Sequence, residues 1–358
     1  MSNGPNNPGG GMYVPANWAN EPPRRGPSLI GRLFMGMLML AAMCLIPFIG
    51  LVLLVAVIGS MAGESSDGVQ ERFHSLSKTA TDKVAIISVE GVIIDNEGFV
   101  KRQIDQVRED KSVKAVVLRV DSPGGSVSAS DYLYHHLKKL VEDRDIPLVV
   151  SMGSLAASGG YYVSMAVGDQ EDSIFVEPTT WTGSIGVIIP HYDVAGLMAR
   201  FDVVDDSIMS APLKDIGSPT KPMTPEERAV LQGLVDSAFA RFKDIVRAGR
   251  PALADDDATL EKVTTGQVFT AEQALADGLA DREGFIEEAI LRAIELANLT
   301  ADSAKVVKYR DSGDIWSLLS AKSAGGRATS GVSALAELAS PRPYYLFTSL
   351  PHLLRTSR

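Results

Sequence analysis

The stretch that decides the fold is AVVLRVDSPGGSVSASDYLYHHLKKLVEDRDIPLVVSM, residues 115–152. Its β-branched run at 115–120 predicts a strand, residues 128–144 predict a helix, and residues 147–152 predict a second strand. A strand, a helix and a strand in this order form a βαβ unit, in which the two strands are parallel. The sequence therefore predicts an α/β fold built on a mostly parallel sheet.

The same alternation continues on both sides of this unit. Short apolar runs at 84–93, 173–176 and 184–189 predict further strands. We expect these strands and the helices between them to form one domain over residues 82–300.

Two capping boxes mark helix starts in the C-terminal part of this domain. Thr224 with Glu227 opens the longest predicted helix, which runs to about Arg250 before a proline stops it. A second box at 270–273 opens a short helix, and a further helix is predicted near 284–297. The parallel sheet is therefore expected to be followed by a mainly helical part.

Composition and charge argue against several function classes. The 358-residue chain carries a net charge of −10, whereas a nucleic-acid surface needs clustered lysine and arginine. Because Cys44 is the single cysteine, the chain can form neither an intrachain disulfide nor a thiolate metal cluster. The five histidines lack metal-ligand spacing, so we expect no bound metal.

One segment predicts a membrane anchor. Residues 33–62 contain no charged side chain and exceed the roughly 20 apolar residues that cross a bilayer. A cleaved signal peptide would have an apolar region of only about 7 to 15 residues, nearer the N-terminus. Arginines precede the segment and acidic residues follow it, so the N-terminus is expected in the cytoplasm and the main domain outside it.

The remaining segments flank the anchor and the domain. Residues 1–32, rich in Gly, Pro and Asn, predict a disordered cytoplasmic tail, and residues 63–81 predict a linker. Residues 301–358 predict a C-terminal extension that ends in an aromatic, Pro-punctuated stretch. Three alternatives stay open for this extension: it contacts the membrane, it contacts a neighbouring subunit, or it is disordered.

Two glycine-containing turns carry the candidate chemistry. In SPGG, residues 122–125, the backbone can turn with its amides outward at the start of a helix, as an oxyanion requires. In AASGGYY, residues 156–162, Ser158 precedes a helix and suits a nucleophile, with the Gly159 amide as a further donor. The ordinary alternatives are a tight strand-to-helix turn and a serine helix cap.

A serine nucleophile needs a base to take its proton. His191 lies just past a predicted strand, and Lys214 lies in a loop before the long helix. To serve as base, Lys214 must lose its charge near neutral pH, and the adjacent Asp215 opposes this unless it points elsewhere. The residues alone leave both candidates open.

Four motifs occur in an order that resembles the signal peptide peptidase A family. They are SPGG (122–125), AASGGYY (156–162), TGSIGVI (182–188) and KDIGSP (214–219). This family consists of membrane-anchored bacterial serine proteases with a ClpP/crotonase-like fold. The resemblance covers about residues 82–297 and corresponds to the short, single-domain form of the family.

The resemblance implies a Ser-Lys dyad. It makes Ser158 the nucleophile and Lys214 the general base, in preference to Lys221 and to His191. His191 stays as the fallback base, because the related ClpP proteases use a Ser-His-Asp triad. Ser184 corresponds to a serine that orients the lysine amine.

The same resemblance assigns the oxyanion region to Gly124, Gly125 and the amide of Gly159. Which of the first two glycines donates to the oxyanion stays open. The resemblance implies no cofactor and cleavage without ATP.

Substrates and assembly are also implied by the resemblance. The substrates would be cleaved signal peptides and other hydrophobic peptide segments, met at the outer face of the bacterial cytoplasmic membrane. The chain would form a ring- or dome-shaped homo-oligomer, in which Ser158 and Lys214 can come from neighbouring subunits. Two alternatives are an acyl-CoA hydratase or isomerase on the same fold and a non-catalytic membrane scaffold.

Overall fold

A mostly parallel sheet dominates the residues that this computed structural model describes, 68–311 and 343–347. The strands in chain order are β1 (Val69–Leu76), β2 (Asp82–Glu90), β3 (Val113–Ser122), β4 (Gly124–Ser126), β5 (Leu148–Ala157), β6 (Ile174–Val176), β7 (Trp181–Gly183), β8 (Val268–Thr270), β9 (Arg282–Glu283), β10 (Ala304–Asp311) and β11 (Tyr344–Leu346). Both ranges belong to one compact unit, Ser65–Arg358.

Within the described residues, nine strands form one sheet. Its main path is β1-β10-β2-β3-β5-β6-β9, with β7 beside β5 and β8 beside β7. Neighbours are parallel except at β1–β10 and β7–β8. β4 and β11 form a separate antiparallel pair. The predicted α/β fold with a mostly parallel sheet is confirmed.

Nine α-helices lie in the described ranges. They are α1 (Phe99–Glu109), α2 (Val127–Arg144), α3 (Gly159–Ser164), α4 (Ala195–Arg200), α5 (Pro225–Gly249), α6 (Pro251–Ala254), α7 (Asp257–Val263), α8 (Ala271–Ala276) and α9 (Ile286–Leu296). The predicted capping boxes both form, and the first joins the Thr224 hydroxyl to the Glu227 amide at 3.2 Å. These boxes satisfy amides that the first helical turn leaves without partners.

Helices cover both faces of the sheet. Alternate β2 side chains divide between two apolar clusters, with Ala85 and Ile87 in one and Val84 and Ile86 in the other. The first cluster includes residues of α1, α2, α3 and α5, and the second includes α9. Because both faces are buried, the central strands are near-continuous apolar runs, as is usual for parallel sheets.

The sheet extends beyond the expected domain limits of 82–300. β1 lies within the segment 63–81 that was predicted as linker, and β10 lies within the predicted extension 301–358. β10 pairs in parallel with β2 and antiparallel with β1, so it joins both ends of the domain. Local sequence does not reveal such a partner, because the pairing brings together residues more than 200 positions apart.

Two predicted strands differ in extent from those observed. β2 stops at Glu90, because Gly91 turns the chain with a φ of +70°. The strand predicted at 184–189 is replaced by β7, which ends at Gly183, and by a single bridge between Ile188 and Tyr344. The Ser184 backbone, with a φ of +51°, interrupts the extended conformation.

The predicted tail 1–32 and anchor 33–62 lie outside the described residues. Among those that are described, no helix combines the length and the apolarity needed to cross a bilayer.

Candidate active site

Ser158 lies on a strained turn between β5 and α3. Its backbone has a φ of 56° and a ψ of −113°, a conformation that costs a non-glycine residue about 1 to 3 kcal/mol. The turn is held because the Ser158 amide donates to the Gly183 carbonyl at 2.7 Å and the Ser158 carbonyl accepts from the Tyr162 amide at 2.8 Å. The result is a sharp strand-to-helix elbow of the kind that presents a nucleophile.

The Ser158 side chain does not serve as a helix cap. It makes no capping hydrogen bond, although the residue is only 1% exposed. The cap interpretation would require the hydroxyl to accept from an amide in the first turn of α3. The hydroxyl is therefore available to a reacting group.

The SPGG turn packs directly against this elbow. Gly124 has a φ of +93°, and a methyl group added to it would lie 2.5 Å from the Gly159 amide nitrogen. A methyl group on Gly159 would lie 3.0 Å from the Gly125 amide nitrogen. Only glycine permits this approach, so the fold brings the three predicted oxyanion residues together.

The structure distinguishes between the first two glycines. The Gly124 amide donates to the Ser122 hydroxyl at 3.0 Å, and that hydroxyl donates to the Gly91 carbonyl at 2.6 Å. The Gly124 amide is thus engaged inside its own turn. Gly125 and Gly159 remain the better candidates for donors to an oxyanion.

Ser184 lies next to the elbow. It follows Gly183, whose carbonyl holds the Ser158 amide, and it is 7% exposed. Its hydroxyl donates to the Gly266 carbonyl at 3.3 Å, and its amide donates to the Gln267 carbonyl at 2.7 Å. Its hydroxyl makes no hydrogen bond with a lysine in the described part of the chain.

Neither candidate base is hydrogen-bonded to Ser158 within the described residues. Lys214 lies in an exposed turn where its amide donates to the Ala211 carbonyl at 3.1 Å, and its amine contacts no described partner. His191 is half-buried, and its Nε2 atom is shielded from solvent without a hydrogen-bond partner. The described residues thus bring the candidate nucleophile and the candidate oxyanion donors together, but neither candidate base.

Asp215, the residue that opposes an uncharged Lys214, points to another cation. Lys221 donates to the Asp215 carboxylate at 2.9 Å and to the Glu227 carboxylate at 2.7 Å. The hydrogen bonds with Glu227 and then with Asp215 raise the pKa of Lys221, and the bond from Lys221 lowers the pKa of Glu227. Both carboxylates are therefore already paired with Lys221, Asp215 in the loop and Glu227 in the first turn of α5.

A second set of contacts fixes the helix that follows Ser158. Tyr161 donates its hydroxyl hydrogen to the Leu279 carbonyl at 2.9 Å. Beside it, Arg250 donates to the Gly278 carbonyl at 2.7 Å and to the Asp281 carboxylate at 2.6 Å. We call Arg250, Asp281 and the 278–281 backbone the floor of the site.

The C-terminal strand β11 is a site element that the sequence did not reveal. It pairs with β4, and Tyr345 within it is fully buried against Tyr162 and Phe242. The aromatic stretch at 343–347 was the only signal, and it lacks the alternation that predicts a strand. Among the described residues, no group of three or more His, Cys, Asp or Glu is arranged to hold a metal ion.

Known proteins match this chain over the region that carries the site. The sequence model of Peptidase family S49 matches residues 141–300. The chain is 34% identical over 241 residues to the "Putative signal peptide peptidase SppA" of Enterococcus faecium, which covers 64% of this chain and 67% of that protein. It is 36% identical to the "Putative protease slr0021" of Synechocystis sp., covering 65% of this chain and 82% of that protein.

A longer relative matches as well. The "Serine protease SPPA, chloroplastic" of Arabidopsis thaliana is 34% identical over 60% of this chain, which spans only 30% of that protein. The fold, the elbow and these matches together define a serine peptidase. The chain belongs to peptidase family S49, within its signal peptide peptidase A group.

Proposed function

We propose that the chain is an endopeptidase that cleaves hydrophobic peptides, including cleaved signal peptides, with a Ser-Lys dyad. Ser158 is the nucleophile and Lys214 is the general base. The observation that carries the proposal is the strained, uncapped Ser158 turn packed against the SPGG turn. The name of the Enterococcus faecium relative supports the substrate class.

The proposed reaction is acyl transfer. Uncharged Lys214 takes the Ser158 proton as the serine oxygen bonds to a peptide carbonyl carbon, and the carbonyl electron pair moves onto its oxygen. The Gly125 and Gly159 amides stabilise that oxyanion. When it collapses, the carbon–nitrogen bond breaks and the leaving amine takes the proton from Lys214. Water then attacks the ester carbon and gives a proton to Lys214. The carbon–oxygen bond to Ser158 breaks, the acid product leaves, and the serine oxygen takes that proton back from Lys214.

The dyad forms between neighbouring subunits. The Lys214 amine makes no hydrogen bond or ion pair in the described part of its own chain. Lys214 follows a segment of exposed apolar residues, 192–209, that we call the arm. Exposed apolar side chains in the arm are Tyr192, Leu197, Phe201, Val203, Val204, Ile208 and Met209. α4, inside the arm, buries none of its residues. Exposed apolar surface of this kind marks an interaction site.

The partner that covers the arm is a second copy of the chain. A contact that carries Lys214 toward a neighbouring Ser158 is heterologous, and repeated contacts of this kind close into a ring. The ring also buries the lysine amine, which favours its uncharged form. Catalysis therefore requires the assembled ring, because the Lys214 amine is buried only there.

The membrane anchor at 33–62 completes the proposal. Its charge pattern supports a cytoplasmic N-terminus and a catalytic domain, 82–300 with β1 and β10, outside the bacterial cytoplasmic membrane. Spent signal peptides lie in the same bilayer, so the anchor holds the site near its substrate. Cleavage proceeds without ATP or a cofactor.

Co-expression tests the dyad. Ser158→Ala and Lys214→Ala chains are each expected to be inactive alone on a quenched fluorescent hydrophobic peptide. Mixed oligomers of the two should recover about a quarter of the wild-type activity, because one site in four then pairs an intact serine with an intact lysine. Inactive mixed oligomers would place the dyad within one chain, and an active Lys214→Ala chain would remove Lys214 from it. His191→Ala should remain active, and its inactivity would favour a Ser-His mechanism.

A second experiment tests the arm. Phe201 is 72% exposed, so Phe201→Asp should leave thermal unfolding of the chain unchanged while dissociating the oligomer and abolishing cleavage. Leu234→Asp is the matched control, because Leu234 is 54% exposed on α5, outside the arm. Equal assembly of both variants on size-exclusion chromatography in detergent would contradict the arm as the interface.

A further inference from the structure

The strand that leads to Ser158 is irregular just before the elbow. β5 pairs regularly with β3 up to Met152, and the pairing resumes at Ala156. Opposite the three residues between them, 153–155, β3 contributes only Asp121. We call residues 153–155 the bulge, because extra residues of this kind bend a strand, and they are frequent next to active sites.

The bulge also separates two partners of β5. Before it, β5 pairs with β6, and after it β5 pairs with β7. The last residue of β7, Gly183, holds the Ser158 amide, so the change of partner brings the chain to the elbow. An unbroken ladder cannot run through this change, and the backbone groups of the bulge need other partners.

Asp121 supplies one of these partners. Its Oδ1 atom accepts from the Leu155 amide at 3.1 Å and from the Ser154 hydroxyl at 2.8 Å. A methyl group added to Gly153 would lie 3.2 Å from the Asp121 Cγ atom, so the carboxylate packs against the bulge. A hydrogen bond to a carboxylate is stronger than one to a neutral acceptor, which suits this group to hold a bent strand.

Two fully buried threonines hold carbonyl groups of the same stretch. The Thr180 hydroxyl donates to the Gly153 carbonyl at 2.7 Å, and the Thr182 hydroxyl donates to the Ala156 carbonyl at 2.7 Å. Thr182 belongs to β7 and Thr180 directly precedes that strand. Asp121 therefore secures the bulge from the β3 side, whereas the threonines secure it from the β7 side.

We propose that Asp121 is a positioning residue for the Ser158 nucleophile, and that its carboxylate fixes the direction in which β5 enters the elbow by holding the Leu155 amide. This inference rests on the proposed function for its catalytic meaning. Asp121 acts through the backbone and touches no reacting atom. The strained Ser158 conformation persists only where its surroundings over-determine it, and the bulge begins the stretch that imposes it. A shift of Leu155 therefore moves both the serine oxygen and the Gly159 amide.

Steady-state kinetics of the full-length protein in detergent test the proposal on the quenched fluorescent peptide. Asp121→Ala should lower kcat by about 10- to 100-fold with less than about a twofold change in KM, because small misplacements of reacting groups are costly. Asp121→Asn keeps an acceptor oxygen for both hydrogen bonds and should retain kcat within about threefold. An unchanged kcat in Asp121→Ala would overturn the proposal, as would equal losses in the two variants.

Two control variants separate positioning from general stability. Ser154→Ala removes the hydroxyl bond and keeps the bond to Leu155, so its kcat should match the wild type. Ile290→Ala weakens the second apolar cluster on α9 and should lower the unfolding temperature without lowering kcat. All rates are measured below the unfolding temperature of every variant. A loss of kcat in Ile290→Ala equal to that in Asp121→Ala would overturn the proposal.

Amide hydrogen exchange tests the same contact without catalysis. Exchange of peptides from 153–162 should be at least about tenfold faster in Asp121→Ala and unchanged in Asp121→Asn, because the opening is local. Peptides from α9 should exchange equally in all three proteins. Equal exchange at 153–162 in Asp121→Ala and the wild type would overturn the proposal. If Asp121→Ala fails to fold, Asp121→Glu replaces it. That variant keeps the charge but moves the oxygen, and an unchanged kcat in it would overturn the proposal.

The outcomes also separate this inference from the proposed function. A wild-type protein that does not cleave peptides would refute the peptidase mechanism, and the exchange rates would still decide whether Asp121 holds the bulge. Cleavage that does not respond to Asp121→Ala would refute only the positioning role.

Discussion

The Ser158 elbow and the Lys214 loop are opposite in construction. The elbow is buried, and its backbone is fixed because the Ser158 amide donates to the Gly183 carbonyl and the Ser158 carbonyl accepts from the Tyr162 amide. Contact with the SPGG turn holds it further. The loop carries the exposed Lys214 and follows the arm, whose apolar side chains are exposed in the described part of the chain. Under the proposed mechanism, a chain that holds Ser158 and the candidate oxyanion donors rigidly but exposes Lys214 gains full activity only on assembly.

This contrast has a chemical reason. A nucleophile and its oxyanion donors must be positioned within a fraction of an ångström before reaction, which favours a packed site within one chain. A lysine base needs desolvation more than rigid placement, and a neighbouring subunit can supply it.

The largest effect is expected at the nucleophile. Ser158→Ala should lower kcat/KM on a hydrophobic peptide by about 10⁴-fold or more, because the covalent step is lost. The free energy of unfolding should change by less than about 1 kcal/mol, because the hydroxyl makes no hydrogen bond in the described structure. Ser154→Ala, an exposed position on strand β5 before the elbow, should retain activity. A cleaving Ser158→Ala protein would remove the nucleophile assignment.

The floor should dominate stability. Asp281→Ala should lower the free energy of unfolding by about 3 to 5 kcal/mol, because it leaves Arg250 charged and buried and frees the Ser173 and Ile174 amides that Asp281 accepts at 2.9 Å. Denaturant unfolding measures this loss. Asp172→Ala breaks an exposed ion pair with Arg282 and should leave the unfolding midpoint nearly unchanged. Similar losses in both variants would contradict the special role of the floor.

The glycine contact should matter to catalysis and to stability. Gly124→Ala should lower kcat by about 10²- to 10³-fold, because the added methyl group would lie 2.1 Å from the Tyr345 carbonyl oxygen and 2.5 Å from the Gly159 amide nitrogen and so displaces that amide. Gly168→Ala is the control, since Gly168 has a comparable φ of +68° but nothing within 4 Å of the added methyl group. If both variants lose the same activity, backbone strain rather than the contact is responsible.

The smallest effect is expected in the loop. Lys221→Met leaves the Asp215 and Glu227 carboxylates without their cation, and these charges then favour a protonated lysine nearby. Because the base must be uncharged, the acid limb of the kcat/KM profile should move to higher pH by roughly half to one unit, with full activity regained at high pH. Lys221→Arg keeps the charge and should keep the wild-type profile. A uniform loss at every pH would indicate a structural role alone.

Local patterns predicted the parts of the fold that depend on near neighbours. The βαβ unit at 115–152, the two capping boxes and the turn residues follow from periodicity and from hydrogen bonds within a few residues. The extent of the strand at 184–189 was missed because Ser184 adopts a positive φ that its type does not signal. β1 and β10, in the segments 63–81 and 301–358, were missed for a different reason. β10 pairs with β1 and with β2, and both of these strands are far from it along the chain.

The sequence by itself determined the α/β alternation, the candidate serine and the glycine turns, because each rests on conformational preferences of a few consecutive residues. Only the tertiary structure decided that Gly124 and Gly159 touch, that the Gly124 amide is already engaged by Ser122, and that Tyr345 packs against Tyr162 on the helix after Ser158. It also decided that Asp215 pairs with Lys221. Such contacts join residues whose separation along the chain is bridged by strand order and packing, which no local pattern specifies.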